Sequence, residues 1–71
     1  MKGWISYLDP RGFGYLQSDH GQRVFFHATS LVATRQGDRA AFNALTPGQR
    51  VTFHVAYVAD RDRAVEVEIV P

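Results

Sequence analysis

Between Gln49 and Val58 the chain alternates strictly, with Val51, Phe53, Val55 and Tyr57 on one parity and Thr52, His54 and Ala56 on the other. A side-chain period of two belongs to a β-strand with one buried face and cannot be drawn on one side of a helix. The odd positions are therefore expected to face a core. The last stretch repeats the device, with Val65, Val67 and Ile69 inward and Glu66 and Glu68 outward, after a polar connection from Asp60 to Arg63. Three shorter runs precede these: roughly Gly3 to Leu8, Phe13 to Ser18, and Arg23 to Ala28. Each is bounded by turn formers. Asp9-Pro10-Arg11-Gly12 and Asp19-His20-Gly21-Gln22 are short enough to make antiparallel neighbours, so the first three runs read as a meander. Thr46-Pro47-Gly48 is a further turn.

The stretch from Ala33 to Leu45 carries no strand pattern, which is long for a connection in a compact domain and points to function or mobility. Within it, Asp38 to Phe42 reads as a short helical turn. The expected fold is all-β, a five-stranded antiparallel barrel occupying 1–71 as a single domain, because closure removes the edges that an open sheet of this size would expose.

Composition narrows the function. With 71 residues and 45% of them hydrophobic, one core can form, and there is no room for a second domain or a deep substrate cleft. No cysteine is present, which excludes disulfides, thiolate metal sites and thiol catalysis. Eight Lys and Arg against seven Asp and Glu leave a formal charge of +1, too small to grip duplex DNA through phosphate alone. No apolar run is long enough for a signal core or a membrane span, so a soluble, unprocessed, cytoplasmic chain is expected.

The aromatic residues are placed unevenly. On the second strand Phe13 and Tyr15 share parity, and on the third Phe25 and His27 do. Leu16, Val24 and Phe26 are the natural interior set, which pushes those four rings onto the outside as cross-strand neighbours. An exposed aromatic patch marks a binding surface. Flat rings beside a cation, here Arg11, suit unpaired bases, each stacked base contributing about 1–3 kcal/mol.

Arg11-Gly12-Phe13-Gly14-Tyr15-Leu16 resembles the first ribonucleoprotein motif of the cold-shock domain family, usually Lys-Gly-Phe-Gly-Phe-Ile. Val24-Phe25-Phe26-His27 resembles the second, Val-Phe-Val-His, at the family's spacing. Gly3 to Asp9 parallels the family's opening Gly-x-Val-Lys-Trp-Phe-Asn, and Leu45 to Phe53 its Leu-x-x-Gly-Gln-x-Val-x-Phe. The similarity extends over nearly the whole chain. It implies an OB-type barrel that binds single-stranded RNA or DNA, with stacking positions at Tyr7, Phe13, Tyr15, Phe25 and His27, a phosphate-side cation at Arg11 and a loop ring at Phe42. The family's activity as an RNA chaperone or regulator of transcription and translation, including under cold stress, comes with it.

Several positions depart from the pattern. Ser6 stands in place of a lysine, Tyr7 of a tryptophan, and Leu8 and Ala28 of phenylalanines, while one residue is missing between Asp9 and Arg11. A weaker binder is expected; with about two phosphates engaged, the log–log salt slope would be roughly −1.4. Trp4 lies on the outward parity and either supplies the ring that Tyr7 lacks or packs on the barrel rim. Phe42 either caps the site or packs with Leu45. Alternation places Tyr7 inward with Ile5 while the resemblance places it outward, so both hold only if the first strand bulges or bends sharply.

No enzyme is expected. His20, His54 and His27 lack partners for metal or acid–base work, and Glu66 and Glu68 read as a solvated face. Neither cofactor nor metal is implied. The alternative reading of the exposed rings is a protein-interaction module, binding a polypeptide or a second copy. A monomer is expected, with the connection before Leu45 as a hinge through which strands can exchange into a dimer.

Overall fold

The computed structural model describes residues 1–32 and 37–70. Five strands, β1 (Lys2–Asp9), β2 (Phe13–Ser18), β3 (Arg23–His27), β4 (Arg50–Val58) and β5 (Arg61–Ile69), close into a barrel in the order β1-β2-β3-β5-β4. A 3₁₀ turn (Ala28–Ser30) and one short helix, α1 (Gly37–Asn43), lie between β3 and β4. No helix among the described residues is long and apolar enough to cross a membrane. The helical turn expected at Asp38 to Phe42 is thus present, whereas 33–36 of the long connection lie outside the described residues.

The first three strands form the meander that their turns predict. At the first turn the Gly12 N–H donates to the Asp9 carbonyl at 3.0 Å, and Gly12 takes φ 101°, open to a residue without a side chain. At the second, the buried Ser18 hydroxyl accepts from the backbone N–H of His20 (3.2 Å) and Gln22 (3.1 Å) and so holds the loop. Closure differs from a purely antiparallel barrel in one seam. β3 and β5 run parallel, meeting at Phe25 and Arg63, and the bridge from Leu31 to Val67 extends that seam past the end of β3.

Ile5, Leu16, Val24, Phe26, Val51, Phe53, Ala64 and Val67 fill the interior, each at most 4% exposed. Gly14 lies on the inward face of β2, where a Cβ would meet the Tyr7 carbonyl oxygen and the Phe26 ring edge at 2.9 Å. Glycine there lets the first two strands close over Phe26.

Three expectations are corrected by the last two strands. Val51 and Phe53 are buried as alternation predicts, but Val55 and Tyr57 are exposed at 39% and 71%. The reason is that β4 pairs with β1 only over Arg50–Thr52, so its second half, paired with β5, runs past the barrel wall. On β5 the buried residues are Ala64 and Val67, three apart, while Val65 is only half-buried and Ile69 is exposed. A bulge explains the break: the β4–β5 register shifts between Thr52 and His54, and Glu66 opposite takes φ 51°. Finally, the polar connection expected at Asp60 to Arg63 is shorter. Ala59 and Asp60 alone make the turn, both at positive φ (52° and 64°), and Arg61 to Arg63 belong to the strand.

Candidate nucleic-acid interface

The register of the sheet assembles the outward rings into rows. Tyr7 faces Tyr15, Tyr15 faces Phe25, and Phe25 faces Arg63, a line that crosses four strands. One row away Phe13 faces His27, and on the other side Trp4 faces Gln17, which faces Arg23. Successive rows are two residues apart along β2 and β3, about 7 Å, and three apart between Trp4 and Tyr7 on β1. Within the patch the ring centroids are 6.2 Å apart for Tyr7 and Tyr15, 6.0 Å for Tyr15 and Phe25, and 5.7 Å for Phe13 and Phe25.

Tyr7 joins this face because β1 bulges. The β1–β2 register shifts between Ile5 and Tyr7, leaving Ser6 as an extra residue whose hydroxyl donates to the Tyr15 carbonyl at 3.2 Å. One extra residue reverses parity, so Ile5 is fully buried and Tyr7 is 46% exposed. Alternation thus holds for Ile5 and fails for Tyr7, whose outward placement is the one that the resemblance implies.

Asp9 anchors the end of the face next to Phe13. It is buried, yet its carboxylate is fully engaged: Oδ1 accepts from the Arg11 backbone N–H at 2.9 Å and from Nε at 3.0 Å, and Oδ2 accepts from an Arg11 terminal nitrogen at 3.2 Å and from the Tyr7 hydroxyl at 2.9 Å. The forked guanidinium contact, then the backbone N–H, hold the Asp9 carboxyl well below the usual carboxylate range against the opposing effect of burial. The same contacts raise Arg11, and donation to Asp9 is the leading cause that raises Tyr7. Arg11 remains open to solvent and stands 5.1 Å from the Phe13 ring centre. Asp9 therefore fixes both an outward ring, Tyr7, and a cation, Arg11.

His27 is placed by its own cap. Its Nδ1 accepts from the Thr29 backbone N–H at 3.2 Å and caps the 3₁₀ turn, which puts the proton of the neutral ring on Nε2. Trp4 is half-buried on the outward face, with the Arg50 guanidinium 5.8 Å from its ring centre and Arg50 in turn paired with Asp19 at 3.0 Å. It flanks the ring rows through Gln17 and Arg23.

Phe42 is not brought to this face. It is 4% exposed, and its ring packs 6.0 Å from that of Phe26 in the core. Helix α1 is amphipathic over its last turn, so Ala41, Phe42 and the following Leu45 close one end of the barrel. Of its two expected roles, Phe42 takes the packing one, in the core cluster that also holds Leu45 and against the Phe26 ring.

Three cations on the face escaped sequence reasoning. Arg23 lies 4.5 Å from the Tyr15 ring centre, and Arg61 and Arg63 lie 5.2 and 5.3 Å from that of Phe25. Arg23 was legible in part, being on the same outward parity as Phe25. Arg61 and Arg63 were not, because nothing local in sequence indicates that β5 lies beside β3. Among the described residues no three His, Cys, Asp or Glu gather into a metal-binding group.

A comparison with curated proteins finds no match to this chain. A family model described as the 'Cold-shock' DNA-binding domain does match, over residues 1–70. Together with the five-stranded closed barrel, that match shows the chain belongs to the cold-shock DNA-binding domain family, a family of nucleic-acid-binding domains.

Proposed function

We propose that this protein binds single-stranded RNA or DNA by stacking unpaired bases on Tyr7, Phe13, Tyr15, Phe25 and His27, and acts in the cytoplasm as an RNA chaperone or regulator of transcription and translation of the cold-shock type. The observation that carries the reading is the outward row of rings crossing β1, β2 and β3, which no internal packing requires. Trp4 borders the bound strand. Phe42 has no part in it.

The guanidiniums give the mechanism its second half. Each of Phe13, Tyr15 and Phe25 already has an arginine over its ring. A base that takes a ring face displaces or sandwiches that guanidinium, which then stands a short swing from the strand's phosphates. Three stacked bases at roughly 2 kcal/mol each give about 6 kcal/mol before any phosphate contact, an affinity between millimolar and micromolar. Stacking of that size is comparable to the mean of about 1.4 kcal/mol per step that a duplex gains. Such a surface opens marginal base-paired structure and leaves long duplexes intact, as a chaperone of RNA must.

The test is a titration of Trp4 fluorescence with a short oligothymidine and its RNA counterpart, beside a duplex control and a label-free assay. Single strands should bind and the duplex should not. Phe25→Ala should weaken binding by about 1–3 kcal/mol with little change in melting temperature. Phe26→Ala, one residue along and fully buried, should cost about 3–5 kcal/mol of stability. Unchanged affinity in Phe25→Ala, or no binding by the wild-type protein in the label-free assay, would transfer the exposed rings to a protein partner.

A further inference from the structure

The β4–β5 hairpin carries a feature that base stacking alone does not use. Arg61 and Arg63 stand on alternate residues of β5 and so on the same side of the strand, and both guanidiniums reach the same ring, Phe25, at 5.2 and 5.3 Å. Two like charges converge there. Among the described residues neither makes an ion pair, although Asp60 and Asp62 adjoin them in sequence; the arginines that are paired are Arg11, with Asp9, and Arg50, with Asp19. Beside them opens a pocket of about 380 Å³, lined by Phe25, Val58, Ala59, Arg61 and Arg63. A pair of uncompensated guanidiniums flanking an open pocket at the end of an aromatic row is an anion site.

We infer that Arg61 and Arg63 form a phosphate-binding subsite at the β3–β5 seam, which holds a phosphate of the strand whose bases stack on Tyr15 and Phe25. This rests on the stacking function proposed above and adds a direction to it: the strand runs across the sheet from β1 to β5 and leaves over the hairpin. The cation count at the face is also larger than the sequence alone indicates. The shared chemistry is a phosphate oxygen, supplied by an internal phosphodiester or by a terminal phosphate, and the two are separable.

The experiment measures affinity against salt for wild type, R61Q/R63Q and R61K/R63K, using oligothymidines of one length with a 5′-hydroxyl or a 5′-phosphate. Each phosphate released from contact makes the log–log slope shallower by about 0.7. R61Q/R63Q should lose about 0.7 of slope with the 5′-hydroxyl strand, while R61K/R63K, which keeps both charges, should hold it. A loss seen only with the 5′-phosphate strand would assign the subsite to a terminal phosphate. Equal slopes for wild type and R61Q/R63Q on both strands overturn the subsite while leaving stacking intact, and so does an equal loss in R61K/R63K. If the wild-type protein binds neither strand, the stacking function falls and the subsite falls with it.

Discussion

Asp9 shows how much a single residue can organise on a small domain. From the sequence it reads as the opening of a turn beside Pro10. In the fold it is a buried carboxylate gripping Arg11 through a fork and Tyr7 through its hydroxyl. That role was illegible because the Tyr7 contact exists only once Ser6 has bulged and reversed the parity of the strand. It has a consequence in acid. The Asp9 carboxyl binds a proton less readily in the folded chain than in the unfolded one, so protonation favours unfolding. Its stabilisation is complete above the unfolded carboxylate value, about 4, and declines as pH falls toward the lower folded value. The gap between the melting temperatures of wild type and Asp9→Asn, measured from pH 7 to pH 2, should therefore narrow toward the acid end. Asp9→Asn should also bring the Tyr7 phenol back toward its ordinary range in an ultraviolet titration, since its leading perturbation is removed. A constant gap in melting temperature down to pH 2 would mean that the Asp9 charge contributes nothing.

At the scale of the element, the second strand is the most legible and the fifth the least. Phe13–Ser18 matches its sequence bounds and keeps its alternation throughout, because it is paired on both sides and no bulge interrupts it. β5 reads inward at Val65, Val67 and Ile69 by parity, yet Glu66 at φ 51° breaks the count and hands the buried position to Ala64. Nothing in Val-Glu-Val-Glu announces a bulge. The hairpin before it is held by two non-glycine residues in the left-handed region, Ala59 and Asp60, a geometry in which Asn-Gly is favoured. Left-handed backbone costs an ordinary residue about 1–2 kcal/mol. Ala59→Asn with Asp60→Gly should thus stabilise the domain by about 1 kcal/mol and raise its melting temperature by roughly 4–8 °C. A lowered melting temperature would show that Ala59 and Asp60 contribute contacts beyond the turn.

For the whole molecule, the barrel's closure assembles the face on which the proposed function rests. Its formal charge is only +1, so no long-range field draws nucleic acid in, and attraction depends on where the arginines are gathered. Arg23 on β3 and Arg61 and Arg63 on β5 converge on Tyr15 and Phe25 because a parallel seam brings together strands that lie far apart in sequence. A ligand held by this assembled face binds the folded chain and not the unfolded one. Oligothymidine at about a hundredfold excess over its dissociation constant should then stabilise the protein by about 2.7 kcal/mol, moving a single thermal transition upward by on the order of 10 °C. An unmoved transition at saturating ligand would mean that binding does not need the fold.

The sequence by itself determined that there are five strands, the turns that join the first three, the interior set of Leu16, Val24 and Phe26, and the outward parity of Phe13, Tyr15, Phe25 and His27, but not where the last turn ends or which residues of β5 face inward. These are local quantities, fixed by a period of two and by residues that favour or forbid a turn. Tertiary structure decided the remainder: which side Tyr7 faces, that Phe42 is core, and that Arg61 and Arg63 meet Phe25. Each depends on a bulge, a docked helix or a strand pairing distant in sequence. Such features arise when the closing barrel must bury its apolar faces and pair its edges at once, and no local pattern encodes that compromise.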